Sequence, residues 1–280
     1  MPKQVDLGSL RARKAAGEKL TMLTAYDCPF AQLVDEAGID MVLVGDSLGN
    51  VVLGYADTRP VTMDEMIHHT AAVCRGVRSA LVIGDMPFMS YNITVQEAIR
   101  NGGRFLKEAG ADVVKLEGGA PIADTVAALV TAGIPVCGHL GLTPQTASQL
   151  GGYRVQGRTA DTALRILDDA RRLEDAGISM LVLECVPDRV AARITAALAV
   201  PVIGIGAGPS CDGQVLVLHD LLGLGGGDFT PKFVKPFGAL GDAARAALTA
   251  YRDEVRSGRF PAPEHCFTIS DEELSKLDAE

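Results

Sequence analysis

Five consecutive apolar runs in the middle of the sequence each end in a charged or imidazole side chain. In chain order these residues are Asp46 with Ser47, Asp85, Lys115 with Glu117, His139, and Glu184. A single Asp after a strand is commonly a turn or N-cap residue, but five such endings in succession are hard to explain as turns. Carboxylates, an amine and an imidazole gathered in one place could bind a metal ion and move a proton.

Two of the acidic residues are suited to share one cation. Asp46 and Asp85 end neighbouring runs, and adjacent strands lie about 4.8 Å apart. Glu117, from the next run, could act directly or through water. All-oxygen ligands suit a hard ion such as Mg²⁺, which keeps several waters that a substrate can replace. The alternative is an ion-pair network centred on Lys115 that has no chemical role.

Glu184 and His139 are candidates for proton transfer. The neighbours of Glu184 in the sequence are apolar, so its carboxylate should be partly desolvated, as suits a general base. Its alternative role is a salt bridge to an arginine of the preceding helix. His139, a single histidine at the end of a strand, is predicted either as a structural residue or as part of the site.

The elements that position these residues follow a regular βα rhythm. Apolar runs with no polar face indicate buried parallel strands, and they cover residues 20–25, 41–46, 80–85, 112–118, 134–139, 180–185 and 201–208. An eighth run at 213–220 is weaker because it could also begin a helix. Segments with helical periodicity lie between them, at 62–76, 94–110, 121–133, 162–177 and 188–198.

Eight such units in one chain of 280 residues predict a single α/β domain, a (β/α)₈ TIM barrel with an N-terminal helix and a C-terminal helical extension. We place the barrel domain at 1–267 and a tail, helical or disordered, at 268–280. Lys115 and Glu117 are two residues apart, so both point to the barrel axis if Val114 and Leu116 face the helices. The long insertion at 141–159 is typical of a lid or binding loop.

Composition excludes several classes of function. The net charge is −9, with 35 acidic against 26 basic side chains, so we expect no nucleic acid partner. Six scattered cysteines without a CxxC pair indicate reduced thiols. The start MPKQVDLGSLRARKAAGEKL lacks the apolar stretch of a secretory signal, and no run approaches the roughly 18 apolar residues of a membrane span. We therefore predict a cytoplasmic protein with no membrane contact.

The motifs around these residues resemble those of the ketopantoate hydroxymethyltransferases, within the phosphoenolpyruvate/pyruvate barrel superfamily. The resemblance runs from Leu20 to Phe267 and includes VLVGDSLGNVVLGY, DMPF, VVKLEGG, PVCGHLGLTPQ, GGYRVQGR, LVLECVP, PVIGIGAG and EHCF, in this order. The sequence shows no departure from the family pattern at a functional position.

The resemblance implies an activity and a role for each motif residue. It implies hydroxymethyl transfer from 5,10-methylenetetrahydrofolate to 3-methyl-2-oxobutanoate through a Mg²⁺-stabilised enolate, in pantothenate synthesis, by a homo-oligomer that is typically a decamer. The implied Mg²⁺ ligands are Asp46, Asp85 and Glu117. The implied catalytic base is Glu184, and the implied substrate contacts are Asp46, Ser47, Asp85, Lys115 and His139.

Two alternative functions remain open at this stage. A metal-dependent carbon–carbon lyase acting on a related 2-oxo acid would use a similar acidic rim, although the KKCGH-type loop of such lyases is absent. A non-catalytic phosphate-binding barrel would use the glycine-rich run GIGAG at 204–208. This run lies late in the chain and does not follow the strand, GxGxxG, helix and acidic-residue order of a dinucleotide fingerprint, and a tight strand-to-helix turn explains it more simply.

Overall fold

A computed structural model describes residues 4–225 and 230–277, and its centre is a closed barrel of eight parallel strands in chain order. The strands are β1 (Leu20–Thr24), β2 (Met41–Val44), β3 (Leu81–Asp85), β4 (Val113–Glu117), β5 (Val136–Gly141), β6 (Met180–Glu184), β7 (Val202–Ile205) and β8 (Gly213–Leu216). The predicted (β/α)₈ barrel is confirmed, including its weak eighth strand.

Helices precede, connect and follow the strands. They are α1 (Leu7–Ala15), α2 (Cys28–Glu36), α3 (Leu48–Val51), α4 (Met63–Gly76), α5 (Val95–Arg104), α6 (Ala123–Thr131), α7 (Ala160–Asp175), α8 (Asp188–Ala197), α9 (Leu218–Leu222), α10 (Leu240–Arg256) and α11 (Asp271–Leu277). A π-helical turn, Phe105–Ala109, continues α5 and ends at Gly110, whose φ of 81° is left-handed. A glycine in this conformation after the end of a helix lets backbone N–H groups bond the last helical carbonyls.

The barrel departs from the βα rhythm between β7 and β8. Residues 206–212 connect these parallel strands without a helix, so the expectation that GIGAG forms a strand-to-helix turn is wrong. The eighth apolar run contains both structures that the sequence allowed, because β8 ends at Leu216 and α9 begins at Leu218. Gly206 has a φ of 64°, and a Cβ there would lie 2.7 Å from the Phe233 ring. The glycine is thus required by local packing.

The apolar core has two parts, separated by the wall of the barrel. Val114 and Leu116 point outward into the cluster beneath the helices, whereas Val113 points inward. Lys115 and Glu117 therefore face the axis, as predicted. Leu10 of α1 is 1% exposed and packs against the inner cluster. Helix α1 thus closes the end of the barrel opposite the carboxyl ends of the strands.

The C-terminal part of the chain is helical but exposed. Helix α10 confirms the predicted C-terminal helical extension, and its only buried residue is Gly241. The predicted tail contains α11, where the backbone N–H of Glu273 donates to Ser270 Oγ at 3.3 Å. Residues 278–280 of that tail lie outside the described residues. No helix in 4–225 and 230–277 combines the length and the apolar character that a membrane crossing requires.

Candidate active site

Parallel register brings the predicted polar residues together at the carboxyl ends of the strands. Asp85 of β3 pairs with Lys115 of β4, and Glu117 pairs with His139 of β5. Side chains paired across neighbouring strands point to the same face. Glu184 ends β6, which lies opposite β2 in the ring of eight. The barrel therefore places Glu184 across the mouth from Asp46.

Lys115 is the cationic centre of the acidic cluster. Its ammonium lies 2.7 Å from Asp85 Oδ1 and 3.7 Å from Glu117 Oε1, and all three side chains are buried. Burial disfavours the ammonium, but Asp85, Glu117 and Asp46 outweigh it and raise the pKa of Lys115 above its ordinary value. Lys115 is therefore charged at neutral pH and offsets part of the surrounding negative charge.

Asp46 follows β2 and lies beside Asp85. Its backbone N–H donates to Asp85 Oδ2 at 3.1 Å, so the predicted proximity of the two residues is confirmed. Burial raises the pKa of Asp46 well above its ordinary value, and the negative charges of Asp85 and Glu117 add to the effect. Ser47 lies next to Asp46, and its Oγ is 2.9 Å from the hydroxyl of the buried Tyr26.

His139 lies between two carboxylates. Its Nδ1 is 3.3 Å from Glu117 Oε1, and its Nε2 is 3.3 Å from Glu184 Oε2. Neither nitrogen has an aligned hydrogen bond among the described residues, so these contacts are ion pairs. Burial and Lys115 disfavour the imidazolium, but Glu117 and Glu184 outweigh them and raise the pKa of His139 to about 9. Glu184 therefore faces His139, whereas the alternative had paired it with an arginine.

Gln145 is a site residue that the sequence did not reveal. Its side-chain Nε2 donates to Asp46 Oδ2 at 3.0 Å and to the Met86 carbonyl at 3.0 Å. Its backbone N–H donates to Glu117 Oε2 at 3.1 Å, and the Tyr91 hydroxyl donates to its Oε1 at 2.8 Å. Gln145 thus connects the insertion at 141–159 with two of the predicted metal ligands.

The start of that insertion passes close to the predicted base. Gly141 has a φ of 93°, and a Cβ there would lie 2.1 Å from the backbone oxygen of Glu184. The Leu142 N–H donates to the same oxygen at 2.8 Å. Cys185, next to Glu184, has a left-handed φ of 50°, a conformation that strains a residue with a side chain. Only a glycine at 141 allows this close approach of the two chain segments.

A cavity of about 290 Å³ opens between these side chains. Its charged wall contains all the residues predicted to form the site, namely Asp46, Ser47, Asp85, Lys115, Glu117, His139 and Glu184. Glu184 is only 17% exposed, in agreement with the expected partial desolvation. The carboxylate faces the cavity, where it can reach a bound molecule.

The residues on the charged wall fit a divalent cation. Four carboxylates face the two cationic side chains Lys115 and His139. With all four ionised, the wall carries an excess of two negative charges, and burial together with this excess raises the pKa of Asp46. Asp46 Oδ1 accepts no hydrogen bond from a described residue. Within residues 4–225 and 230–277, no group of three His, Cys, Asp or Glu side chains is arranged to hold a metal by itself. A Mg²⁺ site of few carboxylates completed by water and substrate agrees with both facts.

Together, the barrel and its acidic mouth define the chain as an α/β-barrel protein with an enzyme-like site at the carboxyl ends of the strands. Solved structures with the same fold include a phosphonopyruvate hydrolase, at a TM-score of 0.62 and 13% identity, covering 98% of this chain and 95% of that one. Another is 2,3-dimethylmalate lyase, of the PEP mutase/isocitrate lyase superfamily, at a TM-score of 0.59 and 20% identity, covering 99% of both chains. At these identities the likeness concerns the fold alone.

The sequence model of the ketopantoate hydroxymethyltransferase family matches residues 4–263. A 3-methyl-2-oxobutanoate hydroxymethyltransferase of Moorella thermoacetica is 62% identical over 94% of this chain and 98% of its own length. One of Syntrophomonas wolfei is 56% identical over 98% and 99%. The chain belongs to the ketopantoate hydroxymethyltransferase family of enzymes. The predicted resemblance is confirmed, and the match begins at residue 4, before Leu20.

Proposed function

We propose that the chain transfers a hydroxymethyl group from 5,10-methylenetetrahydrofolate to 3-methyl-2-oxobutanoate, giving 2-dehydropantoate for pantothenate synthesis. Membership of the family and the names of relatives at 56% and 62% identity support the transferase activity. The observation that carries the mechanism is the position of Glu184. It faces, across one cavity, the cluster that would hold the 2-oxo acid.

The reaction balances without a redox partner. The proton on C3 of the 2-oxo acid leaves, and a new bond joins C3 to the methylene carbon. Both bonds from that carbon to the folate nitrogens break, and water supplies the hydroxyl group. The proton from C3 and the remaining proton of water complete the two N–H groups of tetrahydrofolate.

One wall of the cavity is suited to hold the 2-oxo acid. Asp46 and Asp85, with Glu117 directly or through water, would hold Mg²⁺, which supplies a Lewis acid that stabilises negative charge on the keto oxygen. The Lys115 ammonium, fixed 2.7 Å from Asp85, offsets negative charge as it develops nearby. Ser47 is oriented by Tyr26 and can donate a hydrogen bond to the substrate.

In this proposal Glu184 removes the C3 proton. Its carboxylate lines the cavity and has an ion-pair contact with His139 on one side. The other ring nitrogen of His139 contacts Glu117, so the imidazole lies between the acidic cluster and Glu184. His139 therefore orients Glu184 and balances its charge, while the free part of the carboxylate faces the substrate.

Exchange of the C3 proton into deuterated water tests this assignment. Glu184→Gln preserves the shape of the side chain but removes the base, so we expect binding of 3-methyl-2-oxobutanoate to persist while exchange is lost. Exchange at the wild-type rate in this variant would remove Glu184 from the role of base. EDTA should abolish exchange by the wild-type protein, and full activity in EDTA would exclude the metal.

We also propose that the chain assembles into a homo-oligomer, with the decamer as the expected form. The support is the large apolar surface of its C-terminal helices. Leu248 is 67% exposed, Tyr251 is 60% exposed and Leu277 is 68% exposed. Exposed apolar surface of this extent is typical of protein interfaces. Sedimentation velocity of the purified protein measures the assembly directly, and a monomer would contradict the proposal.

A further inference from the structure

One sector of the cavity has no role in the chemistry described above. The charged residues described above lie at the ends of β2 to β6, whereas the other three of the eight strands, β7, β8 and β1, bound the rest of the cavity. Because the 2-oxo acid and its base occupy the charged sector, the one-carbon donor must approach from the other side. The residues of this second sector therefore face the donor.

Apart from one carboxylate and Thr24, whose hydroxyl accepts a hydrogen bond from the Leu218 N–H, the second sector is apolar. Ile205, Val215, Val217, Pro231 and Phe233 line it. The Phe233 ring lies against the backbone of the GIGAG run, where a side chain at the second glycine would collide with it. A wall of aliphatic groups and one aromatic ring is suited to the faces of a flat heterocycle.

Asp220 is the carboxylate in this apolar sector. It belongs to α9, just after β8, and its side chain lines the cavity while being partly buried. Among the described residues it has no side-chain hydrogen bond or ion pair. Burial raises the pKa of Asp220, and the neighbouring His219 opposes this only in part. A partly desolvated carboxylate without a partner is unfavourable unless a ligand supplies hydrogen-bond donors.

We propose that Asp220 recognises the pterin ring of the folate donor, accepting hydrogen bonds from its adjacent 2-amino and N3–H groups. This inference rests on the proposed function, which supplies the identity of the donor. The pterin edge presents two parallel N–H donors, and a carboxylate presents two acceptors at matching spacing, as in a bidentate arginine pair. The apolar wall contacts the faces of the ring while Asp220 fixes its orientation.

The position of Asp220 across the barrel from Lys115 would orient the folate donor toward the 2-oxo acid. Strand β8, which precedes Asp220, lies opposite β4, which carries Lys115. A ring held at Asp220 therefore extends from the far wall toward the charged wall. In this orientation the methylene carbon of the donor points into the centre of the mouth, where Glu184 removes the proton from C3 of the 2-oxo acid.

Isothermal titration of the full-length protein with tetrahydrofolate, under reducing conditions, tests the assignment. We expect Asp220→Asn to raise the Kd for tetrahydrofolate by 10- to 100-fold, because the amide turns one acceptor into a donor. The KM for 3-methyl-2-oxobutanoate should change less than twofold. Asp161→Asn is the matched control, since Asp161 is also acidic, lies in the first turn of a helix and is exposed away from the cavity.

A pterin analogue shows whether Asp220 contacts the 2-amino group or whether Asp220→Asn disturbs the binding site as a whole. A tetrahydrofolate derivative without the 2-amino group should bind the wild-type protein weakly, and Asp220→Asn should weaken it little further. If Asp220→Asn binds tetrahydrofolate like the wild type, the assignment of Asp220 is overturned while the proposed function stands. If the wild-type protein exchanges the C3 proton but neither binds tetrahydrofolate nor uses its methylene derivative, the proposed donor is wrong and the assignment fails with it.

Discussion

Replacing Gln145 by methionine tests whether the insertion at 141–159 positions the acidic cluster. Methionine has a similar volume, so the buried position stays filled. The variant loses the Nε2 donor that lies 3.0 Å from Asp46 Oδ2. It keeps the backbone N–H that donates to Glu117. The substitution therefore removes the support of one carboxylate and leaves the other in place.

The size of the effect follows from the burial of Gln145. The residue is 2% exposed, so water cannot replace the lost donor. A hydrogen bond to a charged group contributes roughly 1.5–3 kcal/mol, which corresponds to a change in rate of roughly 10- to 150-fold. Gln145 is a positioning residue, because it acts on the substrate through Asp46. We expect a fall in kcat/KM of this size.

The assay measures initial rates at a series of Mg²⁺ concentrations. If Gln145 positions Asp46, the variant should need more Mg²⁺ for half-maximal activity, whereas general destabilisation would lower the Tm and leave the Mg²⁺ requirement unchanged. Gln149→Met is the control, because Gln149 is exposed on the same insertion. Rates and Mg²⁺ dependence of Gln145→Met within twofold of the wild type would refute the reasoning.

Two further substitutions test the insertion and the fold. Gly141→Ala should slow C3 proton exchange at least tenfold, since its Cβ would lie 2.1 Å from the backbone oxygen of Glu184. Gly152→Ala is the control for backbone strain alone, because Gly152 has a similar φ of 96° but open space around it. Equal slowing of exchange by the two substitutions would show that contact with Glu184 is not the cause. Burial alone would raise the pKa of Asp40, but the hydrogen bonds from Arg13 and Thr21 and the charge of Arg13 outweigh it and lower the pKa. Its stabilising contribution is thus complete above the unfolded pKa of about 3.9 and is lost as pH falls through the lower folded pKa. Urea unfolding of Asp40→Asn should show a smaller loss of stability from pH 5 to 3, and an unchanged profile would disprove it.

Much of the barrel could be predicted from local patterns. Apolar runs of strand length identified the strands because a parallel strand is buried on both faces. The alternation of Val113, Val114, Lys115 and Leu116 placed the charged side chain inside, since successive side chains of a strand point to opposite faces. The eighth strand was ambiguous because its run of apolar residues contains both β8 and α9.

The connection after β7 could not be predicted in this way. GIGAG resembles many strand-to-helix turns, and its glycines are explained only by the ring of Phe233 and the close passage of other segments. A glycine in a sequence indicates a need for space or for a positive φ. It does not show which distant residue occupies the space.

The sequence by itself determined which residues stand at the mouth of the barrel, because strand length and alternation are local properties. The tertiary structure decided their partners. Gln145 reaches Asp46 across 99 positions of the chain, and His139 meets Glu184 only because β5 and β6 pair in one register. Such contacts depend on closure of the barrel, which brings together side chains that no periodic pattern relates.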